Sequence, residues 1–104
     1  MSISRLVPRQ EAEMALLEEL RKEGKLSETG KSVGEAIKHF PQLTPAELQR
    51  RTPSGTIFWP GRFRFDLDHL KKRGYATNPV KGFWEITDLG TERLKGSQSQ
   101  LLAD

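Results

Sequence analysis

From Pro8 to Gly24, Ala12, Leu16 and Leu20 recur at every fourth position, with Ala15 and Leu17 beside them. That is the spacing of one buried helix face. Pro8 suits a first helical position, acids come early and bases late, and Gly24 stands where a C-cap belongs. The next piece, KLSETG, leaves room for at most an abbreviated strand at Lys25–Leu26. Ser32-Val33-Gly34-Glu35 has the spacing of a capping box and predicts a second helix from there. Val33, Ala36, Ile37 and Phe40 would turn inward, and Pro41 would end the helix. Thr44-Pro45-Ala46-Glu47 repeats the box with proline at N1, so a short third helix is expected to about Arg50.

TPSGTIFWPG, residues 52–61, reads as a turn-rich connection whose aromatic residues fold back on the core. The following stretch, Arg62 to Arg73, alternates like a strand at Phe63, Phe65 and Leu67. Leu70 breaks that alternation and joins Phe63 and Leu67 at helical spacing, so a helix is predicted, with Gly74 after its basic last turn. A hairpin is expected next: Tyr75–Thr77, a turn across Asn78–Gly82, and Phe83–Ile86 with Trp84 and Ile86 inward. Thr87 can cap a last helix, and residues 96–104 read as a flexible tail after a domain of residues 1–95.

The order is helix, short strand, helix, short helix, helix, two-stranded hairpin, helix. This is an α+β chain, mainly α, with the order of a winged helix-turn-helix. The wing has two strands, and an extra short helix precedes the recognition helix, whose end LDHLKKR would lie in a major groove.

Composition narrows the function. The 104 residues make one domain, and 35% apolar content supports a modest core. No run of about 20 apolar residues suggests a membrane span. The N-terminus has no apolar segment that would mark export. Absence of cysteine removes disulfides and thiolate metal sites and favours a reducing cytoplasm.

The net charge of +3 is unevenly spread. Residues 50–82 carry eight basic against two acidic side chains, while the rest is net acidic. Such segregation fits a polyanion-binding face; the alternative is a solvated basic surface.

The stretch from Pro53-Ser54-Gly55 through Leu70-Lys71-Lys72-Arg73-Gly74 to Gly82-Phe83-Trp84-Glu85-Ile86-Thr87-Asp88-Leu89-Gly90 resembles the N-terminal winged-helix domain of Mrr-type restriction proteins. The resemblance runs from about Met14 to Leu94. It implies a DNA-binding role in a restriction-type system. Mrr-type proteins join this domain to a nuclease domain, for which 104 residues leave no room, so cleavage is not expected.

On a helical wheel Arg64, Lys71 and Lys72 fall off the apolar stripe. With Arg62 at the helix start, they are candidates for groove and backbone contact. Arg64 suits a guanine edge and the lysines suit phosphates. Lys81 at the hairpin tip is a candidate for phosphate or minor-groove contact. Asp68 would temper attraction to phosphate, or accept from a cytosine amino group. Asp66, Asp68 and His69 form the one cluster resembling a metal or acid–base site, too poor in ligands for either. Neither enzyme activity nor a cofactor or metal is expected.

Two classes remain. One is a reader of double-stranded DNA, acting alone or as targeting subunit for a separately encoded effector. The other is a protein-interaction domain using Trp59 and the first helix.

Overall fold

A computed structural model describes the backbone of residues 6–103 and the side-chain surroundings of residues 6–96. The first helix, α1 (Arg9–Glu23), begins one residue after Pro8, which is its N-cap rather than its first residue and whose carbonyl accepts from the Glu11 and Ala12 amides. It buries Ala12, Ala15, Leu16, Leu17 and Leu20, and Gly24 closes it in the left-handed conformation at φ 67°.

The short strand lies two residues later than expected. It is β1 (Ser27–Glu28), held by antiparallel pairing of Ser27 with Trp84 and Glu28 with Phe83. The second helix, α2 (Thr29–Ile37), starts three residues before the expected Ser32. Ser32 is buried inside the helix, where its hydroxyl donates to the Glu28 carbonyl and lies 2.6 Å from that of Ser27. The residue that reads as a cap therefore ties strand to helix. Glu35 turns outward to Lys38 at 2.9 Å.

The third helix, α3 (Pro45–Leu48), follows its capping signal, with the Thr44 hydroxyl accepting from the Glu47 amide at 3.3 Å. The Glu47 carboxylate takes the Trp59 indole N–H at 3.0 Å and Arg50 at 3.1 Å. These two donors hold its pKa below the usual carboxylate value.

Helix α4 (Phe58–Lys72) confirms helix over strand, but it begins four residues before Arg62. Pro60 and Gly61, which read as loop, sit in its opening turn, where a missing N–H leaves no intrahelical bond unmade. The Phe58 amide donates to the Arg50 carbonyl at 2.8 Å, which sets that start. Trp59, expected in a loop, is fully buried and packs edge-on against Phe63. Phe63, Leu67 and Leu70 also have no exposed surface, so the predicted stripe is the centre of the core.

Gly74, at φ 83°, turns the chain into β2 (Ala76–Val80) and β3 (Phe83–Ile86). The strand order β1-β3-β2 makes a three-stranded antiparallel sheet, in which the expected short strand pairs with the second strand of the expected hairpin. The turn is also tighter than expected. Asn78 and Pro79 belong to β2, leaving Lys81-Gly82 as the turn, with Gly82 at φ 83°. The Asn78 amide donates to the carbonyls of Val80 (3.0 Å) and Phe83 (2.6 Å), pinning the hairpin from inside.

Trp84 is buried as predicted. Helix α5 (Asp88–Ala103) runs over most of the stretch expected as a tail, whose side chains beyond Gly96 lie outside the described residues. The Thr87 hydroxyl accepts from the Gly90 amide at 3.0 Å, as a cap should. Among the described residues no helix is long and apolar enough to cross a membrane.

Candidate nucleic-acid interface

The core stripe of α4 fixes which side of the helix faces out. Taking Phe63 as zero, Asp68, Lys72 and Phe65 fall at about 140°, 180° and 200°, opposite the core. Arg64 and Lys71, at about 100° and 80°, lie on one flank. All five are exposed, as is Lys81 at the hairpin tip.

The side chains of Arg64, Lys71, Lys72 and Lys81 have no ion-pair or hydrogen-bond partner among the described residues. Many other cations do: Arg21 pairs with Glu18, Lys22 with Glu19, Lys31 with Glu23 and Lys38 with Glu35. The row on α4 and the hairpin tip therefore keeps its charge unneutralised. Asp68 sits inside this row and pairs with neither Arg64 nor Lys72 among the described residues.

Arg62 stands apart from the other candidates. Its side chain is only 14% exposed and runs inward, with Nη2 donating to the Val7 carbonyl at 2.7 Å. Its Nε lies 3.4 Å from Asp66 Oδ2, and its guanidinium sits 5.7 Å from the Trp59 ring. Arg62 thus joins the N-terminal segment to α4 and leaves the outer row.

Asp66, which reads as an acid on the basic helix, is likewise buried. Burial pushes its carboxyl up from 3.8 to about 6; Arg62 pulls the other way, Glu13 adds to the rise, and Arg9 offsets part of it. Glu13, also fully buried, meets Arg73 at 3.3 Å.

The hairpin tip is positioned by α2. The amide and hydroxyl of Thr29 both donate to the Gly82 carbonyl, at 2.9 and 3.0 Å, and Thr29 accepts from the Trp84 indole at 3.0 Å. Gly82 and Asn78 then form one side of a shallow groove of about 430 Å³, with Arg64, Phe65 and Asp68 on the other. Arg64, Asp68 and the Lys81 turn are therefore brought together, while Lys71 and Lys72 continue the row away from the groove. A larger groove of about 1210 Å³ lies between α1 and α5. Its walls carry Glu11, Glu18 and Glu92 against Lys22 and Arg93, whereas the smaller groove adjoins the cationic row of α4 and the Lys81 turn.

Two features escaped the sequence reading. Phe65 is 72% exposed at the apex of α4. Gly61, one turn earlier on the same line, borders the same groove. Spacing by four opposite a known stripe was the available signal for both.

Among the described residues, no three His, Asp or Glu side chains are grouped so as to hold a metal ion. Residues 10–96 match the family model described as the Mrr N-terminal domain. Neither the curated proteins nor the solved structures include a match to the chain.

Proposed function

This chain belongs to the Mrr N-terminal domain family, and we propose that it is a winged-helix module that binds double-stranded DNA for a restriction-related system. The observation that carries this reading is the row of cations along α4 and at the hairpin tip that have no partner among the described residues. In this reading α4 lies in the major groove and β2–β3 is the wing over the adjoining backbone. Arg64, whose fork can hold O6 and N7 of one guanine, reads a base edge, and Lys71, Lys72 and Lys81 bind phosphates. Asp68, the one acid in the row, weakens attraction to arbitrary duplex and leaves discrimination to base edges.

The module acts in the cytoplasm and breaks no bond itself. It is a stand-alone reader, or it delivers a separately encoded effector to DNA. The competing protein-interaction reading loses one of its two anchors, because Trp59 is wholly buried and hydrogen-bonded to Glu47.

A salt titration of duplex binding tests the proposal. Three phosphate contacts give a slope of log K against log salt of roughly −3. Affinity for duplex DNA that is absent at low salt would overturn it.

A further inference from the structure

We propose that Phe65 is a specificity-determining residue that packs on the C5-methyl group of a thymine, with Gly61 clearing the approach. The inference rests on the reading of α4 as the DNA-facing helix. Among the described residues Phe65 is the most exposed large hydrophobic one, at 72%, with a charged residue before it and another three positions after it. Its ring has, among the described residues, no aromatic or cation contact and no place in the core. On the wheel it lies opposite Phe63, with the Asp68–Lys72 line between it and Arg64, and it borders the same groove as Arg64, so a ligand filling that groove meets both.

Gly61 is the second observation. A helix position held by glycine is less stable than one held by alanine. Here the fold gives no reason for it, since a Cβ on Gly61 would meet nothing within 4 Å. The space it leaves lies outside the protein, beside Phe65 on the groove wall. A glycine in such a place suits close approach by a ligand.

The chemistry of the ligand follows from the ring. Base edges in the major groove present donors and acceptors, and the thymine methyl is the one apolar group among them. An exposed phenyl ring beside an arginine fork therefore suits a thymine next to the guanine that Arg64 reads.

The test begins by selecting the preferred duplex from a random-sequence pool. That duplex is then made with thymidine or with deoxyuridine, which lacks only the methyl. Wild-type protein is expected to favour the thymidine duplex about fourfold for one methyl. Phe65→Ala should bind both duplexes alike, at the level wild type shows for deoxyuridine. Phe65→Leu should keep part of the discrimination. Gly61→Ala should stabilise the fold and weaken binding to the thymidine duplex.

Equal binding of both duplexes by wild type, with normal salt dependence, overturns the thymine contact and leaves the DNA reading intact. A selected site with no thymine does the same. No salt-dependent duplex binding at all removes both, and Phe65 then faces a protein partner.

Discussion

Gly90 lies against Tyr75 so closely that a methyl group on its Cα would overlap the Tyr75 carbonyl oxygen and approach Ile86 Cγ1 to 2.8 Å. Because the first obstacle is backbone, no side-chain rotation relieves it. Thr87 works at the same junction: its hydroxyl donates to the Gly74 carbonyl at 2.6 Å and accepts from the Gly90 amide. The Ile-Thr-x-x-Gly ending is thus a joint among the end of α4, the sheet and α5. Gly90→Ala is expected to cost about 2–3 kcal/mol of stability through overpacking, read as a lower urea midpoint. A midpoint unchanged within error would show that the contact is not close.

Asp66 predicts an unusual response to acid. Its folded pKa of about 6 exceeds the ordinary 3.8, so the folded state takes up a proton before the unfolded chain does. Stability should therefore rise as the pH falls from 7 to 5, by on the order of 1 kcal/mol. Glu19 and Glu47, whose values are depressed, lose their contribution only as the pH falls below 4.5, outside that window. Asp66→Asn should flatten the rise between pH 7 and 5 in urea unfolding. A variant that keeps the wild-type slope would place the titrating group elsewhere.

The basic residues of α4 should divide into two behaviours. Arg64→Ala and Lys81→Ala are expected to weaken duplex binding at low salt while changing stability by less than about 0.5 kcal/mol. Arg62→Ala should do the reverse. It leaves the Asp66 carboxylate buried without its nearest cation, a loss on the order of 3 kcal/mol. Affinity and urea midpoint measured on the same three variants would reveal a mixed pattern, which would erase the distinction between inner and outer arginines.

Asp68→Asn is expected to tighten binding to random duplex at low salt and to narrow the gap between preferred and random sites. Exposed in the cationic row and without a partner among the described residues, the carboxylate can act on phosphate only through space. Unchanged affinity for random duplex would mean that this face of α4 does not meet DNA.

Much of this fold was legible because its core is periodic. Leu16 and Leu20 mark α1; Phe63, Leu67 and Leu70 mark α4, and all five are fully buried. Positions governed by distant partners were not legible. Ser27 pairs with Trp84 across most of the chain, so β1 could not be placed from local pattern. Ser32 looked like a cap because its partner, the Ser27 hydroxyl, is brought to it by that same pairing. Pro60-Gly61 reads as a break unless it falls in a first turn, and the Phe58 amide bond to Arg50 is what puts it there. Arg62 reads with the outer cations because the Val7 carbonyl that claims it lies 55 residues away in sequence.

The two Thr29 bonds to Gly82 bear on what the protein can adapt to. Lys81 is carried on a turn anchored to α2 and braced by Asn78, so its distance from Arg64 is set before any ligand arrives. A hairpin held this way loses little freedom on binding, which favours affinity. It also cannot stretch or close to suit its ligand. A duplex would have to conform to a rigid caliper, and helices whose local groove width already matches its span would bind with the least distortion.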